Sequence, residues 1–304
     1  MDMLNKHHKK NKIIDKSATV ILYIIAIFFL SLLAALTVYI LYIGISSMKP
    51  EYLGFGMNGL GVQLFNTIYI VMLTLILSIP LGIAAGIYLS EYASDNALTG
   101  LIRICIETLS SLPSIVIGLF GFLVFVLLTG WSWTIIAGVL TLSVLSIPLI
   151  TRVTEDAIRE VPQGYREGSY ALGTTKWQAI VKILLPAASP RIITGIILAA
   201  GRGFGEAAAL MFTAGMSSDV SFSNWNPLST TSPLNIFRPA DTLAVRIWYL
   251  KSSAIFDDKF LVANMAAAML IVLVLVFNLS SRIVGSTLER KMMGSNKLKK
   301  NKKS

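Results

Sequence analysis

Charge is scarce in this 304-residue sequence: 14% of its residues are Asp, Glu, Lys or Arg, against 55% hydrophobic. Soluble domains carry about a quarter charged residues, so a water-facing surface along the whole chain is excluded. Cysteine occurs once, at Cys105, which excludes an internal disulfide framework and a zinc-finger array. The two histidines, His7 and His8, are adjacent in a basic tail and make a poor metal site without further ligands. Acidic residues are also few, 16 against 26 basic ones, for a net charge of +10. In a soluble chain that excess would suggest nucleic acid. With a mean hydropathy of +0.71 it belongs instead to an integral membrane protein, with no nucleic acid as partner. The sequence also lacks a general acid–base pair, a nucleophile elbow, a metal cluster and an internal repeat.

What is present is a set of long uncharged runs, each read against the roughly 20 residues that cross a bilayer as a helix. They place spans near Thr19–Ile45, Asn66–Ser90, Arg191–Gly215 and Phe260–Ser281. The first is too long for the apolar core of a signal peptide and reads as a retained helix. The uncharged stretch Thr108–Thr151 is too long for one span. Thr129-Gly130-Trp131-Ser132-Trp133 breaks it with turn residues and interfacial tryptophans, giving a hairpin of spans three and four. The fold class expected is all-α with six transmembrane helices. A basic tail covers 1–18, the first helix and its outer loop 19–65, a transport core 66–284 with a coupling segment at 154–186, and a Lys-rich tail 285–304. Basic residues near span ends mark the cytoplasmic side. Six spans put both tails, Arg103 and the segment from Arg152 to Arg191 on one side, with only Lys49, Arg238, Arg246, Lys251 and Lys259 opposite. Both termini of a multi-pass protein of the cell membrane are therefore expected in the cytoplasm, and Arg202 is left inside the membrane.

The segment between spans four and five holds the densest motif. Pro162 suits a helix start, Gly173 suits a C-terminal cap, and Thr175 with Gln178 fits a capping box. A second short helix follows, with Trp177, Ile180, Val181 and Leu184 on one face, ending at Pro186. Composition alone allows a plain connecting loop with an interfacial amphipathic helix. Glu167-Gly168-Ser169, three residues, Gly173, nine residues and then Ile183-Leu184-Leu185-Pro186 resembles the EAA motif of ABC importer permeases, with Gly168 and Ser169 where that family usually has two alanines. The resemblance implies that Glu167, Gly168, Ser169, Gly173, Ile183, Leu185 and Pro186 belong to a coupling helix that docks on an ATPase subunit. The chain itself carries no ATPase site: Gly168 to Gly173 has the spacing of a phosphate loop, but Thr174 follows where Lys is required.

Two features interrupt the membrane runs. Gly201-Arg202-Gly203-Phe204-Gly205-Glu206 puts a guanidinium within the apolar layer, with a carboxylate four residues on, at pairing distance in a helix. Gly201 and Gly205 also form a G-x-x-x-G face for close helix approach. Arg202 and Glu206 read either as an ion pair fastening span five to a neighbour or as a cationic site on an anion path, the default for ionisable groups in a membrane. Arg152 reads as a weaker path residue or as an ordinary basic residue at a span end. Pro113 and Ser114, with Gly118 after them, mark a helix break in span three, where the freed carbonyl needs protein or water.

Pro113-Ser114-Ile115-Val116-Ile117-Gly118-Leu119-Phe120-Gly121 resembles a stretch shared by the permeases of the phosphate-specific (Pst) transport systems, and Gly205-Glu206-Ala207-Ala208 resembles their G-E-T-A. Leu210 to Gly215 and Leu243 to Trp248 look more like PstA than PstC. The resemblance, from about Asn66 to Ile283, implies a MetI-like (type I) permease fold and a subunit of an ATP-driven phosphate importer. Its implied partners are a PstC-like second permease, a PstB-like ATPase dimer holding ATP and Mg, and an external PstS-like phosphate-binding protein that meets the outer segment, in which Asp241–Ser253 is expected as a short helix. No cofactor is implied for this chain. The alternatives are another oxyanion (sulfate, molybdate or phosphonate) and an ATP-independent channel or secondary carrier.

Overall fold

The computed structural model describes residues 2–55, 59–252 and 258–292. The side chains of His7 and His8, loop residues Gly56 and Asn58, and the Lys-rich stretch 293–304 lie outside that description. Among these residues all regular structure is helical. Its helices are α1 (Asp2–Ser46), α2 (Gly61–Ile87), α3 (Ala97–Ser111), α4 (Ser114–Gly121), α5 (Ile135–Arg159), α6 (Gln163–Ala171), α7 (Lys176–Ala179), α8 (Leu185–Gly205), α9 (Ala208–Thr213), α10 (Leu243–Ser252) and α11 (Asp258–Met292). Five helical stretches are long and apolar enough to cross a membrane, and a sixth is the bent pair of α3 with α4 and its extension to Leu127.

α2 and α5 form the centre. Lipid gives helices no hydrophobic reason to associate, so close backbone approach must supply the contact. A Cβ on Gly82 would lie 2.8 Å from the Cβ of Ile150, and one on Gly86 would lie 2.8 Å from the carbonyl oxygen of Thr151. α8 lies against α5 at Gly195 and Val153 and against α2 through Val71, Leu75, Ala200 and Phe204. By contrast, the apolar window of α1 is wholly exposed; its Gly44 sits close against Asn264 and Ala268 of α11.

One expectation about the spans needs correction, that at Pro186. Span three does break at Pro113, where α3 and α4 meet at 100°. Leu112 (ψ 141°) and Pro113 (ψ 135°) are both extended there, because the ring of Pro113 disfavours helix at the residue before it. Pro186 does not end a helix. Lys176–Gly205 is one continuous stretch of 30 residues, so span five begins about four turns earlier than Arg191, and α7 is its base rather than a separate surface helix. A π-type turn at Ile180–Leu184, closed by the Leu185 N–H on the Ile180 carbonyl, resets the hydrogen-bond ladder, and Pro186 falls at the start of the new register, where its missing N–H is tolerated. The expected apolar face divides accordingly: Ile180 and Leu184 are fully buried, whereas Trp177 and Val181 are exposed.

The ends of the bundle differ. One, the charged end, gathers Glu91, Arg103, Glu155, Arg159 and Arg166. Glu155, nearly buried, holds Arg103 at 2.8 Å and Arg159 at 3.1 Å. At the opposite end, the segment after α9 folds back over the starts of α2 and α5. The Ile135 N–H donates to the Arg238 carbonyl at 2.9 Å, and the Ala240 N–H donates to the Ala214 carbonyl at 2.9 Å. Arg238 is buried and donates to Asn66 Oδ1 at 2.7 Å and to the carbonyls of Ser232, Pro233 and Pro239. Burial pulls its pKa down to about 10, which leaves it charged at neutral pH. Asp241, fully buried, accepts from Gln63 at 3.1 Å and from the Ser218 hydroxyl; burial raises its carboxyl pKa. The short helix expected near Asp241–Ser253 is present as α10.

Because a Cβ on Gly86 would also lie 2.5 Å from the Cβ of Thr154, Gly86→Val should cost about 1–3 kcal/mol through overpacking. Thermal unfolding of the detergent-purified protein reads this directly, and an unchanged midpoint would contradict the close approach.

Candidate anion path and coupling surface

The Arg202 segment lies where three helices converge. α8 ends at Gly205, Glu206 is extended (φ −75°, ψ 114°), and α9 starts at Ala208. The helix therefore breaks between the two residues, which removes the ion-pair alternative within one helix. Glu206 turns away and is buried, and its Oε1 accepts the Ala209 N–H at 3.2 Å; it caps α9. Arg202 is exposed and, among the described residues, has no ion pair or hydrogen bond. It stands in the last turn of α8, where the helix dipole is negative and favours a cation. Its neighbour Gly203 lies against Val71, ten residues into α2 and so about 15 Å from that helix's start. That is well inside the apolar layer.

Arg191, Thr194, Leu198, Arg202 and Gly205 share one exposed stripe of α8. Cβ positions built on Gly201 and Gly205 meet nothing within 4 Å, so the G-x-x-x-G face is open in this chain rather than packed. The break at Pro113 reaches the same place. A Cβ on Gly118 would lie 2.8 Å from Ala209 Cα and 3.2 Å from the Ala208 carbonyl oxygen, so α4 presses backbone to backbone on the turn that Glu206 caps. Gly118 of α4 and the turn held by Glu206 thus meet at α9, while Pro113 and Ser114 stand at the start of α4. Arg152 is elsewhere: it pairs with Glu107 of α3 at 2.8 Å, with both side chains at least half exposed. A cavity of about 980 Å³ at the opposite end, walled by Leu119, Trp133, Met211, Phe212, Phe237 and Trp248, has no charged residue in its lining.

At the charged end, Gly173 adopts φ +77°, the left-handed conformation that glycine permits at a helix end. Thr175 and Gln178 form the full capping box of α7. α6 therefore stands as a short rigid helix beside the base of the Lys176–Gly205 rod. Tyr165 and Tyr170 are exposed on α6, as is Leu172 just past its end, at 85%. Glu167 and Gly168 are exposed with it, whereas Ser169 is buried and bonded to Thr174. Ile183, Leu185 and Pro186 are half-buried within the rod. Absent from the sequence reading is the inner fastening. Arg166 binds Glu91 Oε1 through Nη2 at 2.7 Å and Nε at 3.2 Å, and also donates to the Ile158 and Val161 carbonyls. The only sequence signal for it was an arginine beside Glu167 and a lone acid at the end of span two.

Residues 78–294 match the family model of the binding-protein-dependent transport system inner membrane component. The chain belongs to this family. These permeases are integral membrane subunits of ABC importers, and each works with a second permease, an ATPase and a substrate-binding protein. The chain is 48% identical over 288 residues to the "probable ABC transporter permease protein YqgI" of Bacillus subtilis, covering 92% of this chain and 98% of that one. It is 35% identical over 232 residues to the phosphate transport system permease protein PstA of Yersinia pestis, covering 75% and 72%, and 34% identical over 227 residues to that of Xylella fastidiosa, covering 74% of each. An inward-facing structure of the MetNI methionine ABC transporter superposes with a TM-score of 0.57 at 19% identity, over 75% of this chain and 95% of that one. This likeness shows the type I importer permease fold.

Arg202 and Glu206 separate by substitution. Glu206→Ala removes the cap of α9 and should destabilise the permease by about 0.5–2 kcal/mol, and Glu206→Gln, which keeps the acceptor oxygen, by less. Arg202→Ala, at an exposed unpaired residue, should leave the unfolding midpoint within error. A large loss of stability in Arg202→Ala would point to a hidden structural partner.

Proposed function

We propose that this permease forms half of the path of an inorganic phosphate importer, with Arg202 as the anion-binding group. One observation carries the reading: a guanidinium deep in the apolar layer, near the open Gly201 and Gly205 and without a partner among the described residues. A structural arginine at that depth would be paired, since an uncompensated charge there costs several kcal/mol. A planar guanidinium matches two oxygens of a phosphate at once. The negative end of the α8 dipole offsets part of its charge, which tempers the hold on an anion, as a site that must release its cargo requires. The PstA relatives support phosphate over sulfate, molybdate or phosphonate. Glu206 acts indirectly, by fixing the turn that presents Arg202, and Arg152, tied to Glu107, is better placed as part of the charged end than of the path.

On this reading both termini and α6 lie in the cytoplasm, in keeping with the distribution of basic residues. α6 docks on a PstB-like ATPase dimer, which supplies ATP hydrolysis with Mg, and a PstC-like permease covers the exposed stripe of α8. A PstS-like protein delivers phosphate at the opposite end. An ATP-independent carrier is disfavoured by family membership.

Labelled-phosphate uptake under phosphate limitation tests the path. Arg202→Ala should lower it by about tenfold or more, with Arg202→Lys intermediate because a point charge replaces the bidentate fork. Wild-type uptake by Arg202→Ala would refute the assignment. Gly173→Asp forces a side chain into the left-handed turn, and should abolish uptake and co-purification of the ATPase while the protein still inserts; retention of both would argue against docking at α6.

A further inference from the structure

The ATPase-facing helix has two faces with unlike tasks. The outer one, with Gly164, Glu167, Gly168 and Ala171, is exposed, and Gly164, Gly168 and Gly173 have no atom near the positions their Cβ would take. The inner one holds to the bundle mainly through Arg166, whose guanidinium makes two hydrogen bonds to Glu91 and two to the last carbonyls around α5. The Glu91 side chain is 6% exposed, so the pair is largely withdrawn from water. Lys176, at the base of the α7–α8 rod, reaches the same place: its Nζ donates to the Glu91 carbonyl and lies 4.7 Å over the ring of Tyr92. Two separate helices thus grip one short terminus, the π-type turn Tyr88–Tyr92 that closes α2.

α2 continues from that turn to Val71, where it packs with Ala200 and Phe204 and touches Gly203, next to Arg202. We infer that Arg166 is a positioning residue that fastens the coupling helix to α2, so that movement of α6 reaches the Arg202 segment through α2 as well as through the α7–α8 rod. The inference rests on the importer reading above and deepens it. Its chemistry is specific. The planar fork of Arg166 spans a carboxylate and two carbonyls together, which the ammonium of a lysine cannot do. Removing it leaves a nearly buried Glu91 without its counter-charge, and leaves α6 attached chiefly through its chain ends and the Ser169–Thr174 contact.

The test reads movement rather than transport alone. In the assembled importer, Cys105→Ser removes the single native thiol, and Leu198→Cys places a reporter on the exposed stripe one turn from Arg202. The rate of labelling by a water-soluble maleimide is compared with and without ATP. With Arg166 intact, ATP should change that rate. Arg166→Gln should reduce the response by about tenfold while the ATPase still co-purifies, and Arg166→Lys, which keeps the counter-charge of Glu91 but loses the fork, should fall between. A full response in Arg166→Gln overturns the inference. So does loss of the ATPase in step with loss of the response, which would make Arg166 part of the dock. Absence of any ATP response with Arg166 intact overturns the path reading and this joint together. A normal response without uptake of inorganic phosphate bears on the substrate alone.

Discussion

The crossing of α2 and α5 is the contact on which the rest of the permease depends. Two glycines one turn apart on α2, Gly82 and Gly86, let the backbones of these helices touch, and everything of functional interest is referred to that pair. α8 is laid on it from one side, α4 and α9 from another. The polar lock at the opposite end ties the start of α2 to the chain after α9 through Asn66 and Arg238, while the charged end ties its terminus to α6 through Glu91. In a bilayer, where apolar surface alone does not sort one helix from another, such backbone contacts and desolvated polar pairs carry the specificity.

Glycine serves two opposed purposes in this chain. At Gly82, Gly86, Gly118 and Gly195 it admits a neighbouring helix at van der Waals limits, and any side chain would displace that neighbour. At Gly201 and Gly205 it meets nothing within the chain. The contrast separates the interior of the single subunit from the face kept for something outside it, and it places Arg202 on the second kind of surface.

Much of the architecture was legible in the sequence because its signals are local. Uncharged runs of bilayer length marked the spans, Gly173 and the Thr175–Gln178 box marked the ends of α6 and α7, and the family followed from spaced motifs. The failures also have physical causes. The ion-pair alternative for Arg202 and Glu206 assumed that the helix continued through Gly205, which a period of 3.6 residues cannot guarantee. Ending a helix at Pro186 ignored a wide turn that renumbers the ladder. Pro113 announced a break, but whether a proline bends a span slightly or by a right angle depends on what packs around it, here Gly118 on α9. The pairs Arg166–Glu91, Arg238–Asn66 and Gln63–Asp241 join residues 75, 172 and 178 positions apart, a separation at which no local pattern exists.

The uninterrupted run from Lys176 to Gly205 has a mechanical meaning. Thirty helical residues rise about 45 Å, so a tilt of about 5° around the middle of this rod carries each end about 2 Å. The base of the rod stands beside α6, and its far end bears Arg202. A displacement of that size is about the margin between a direct hydrogen bond and a broken one. The chain needs no large rearrangement to change what its intramembrane guanidinium can reach: a small lean of one long lever is enough.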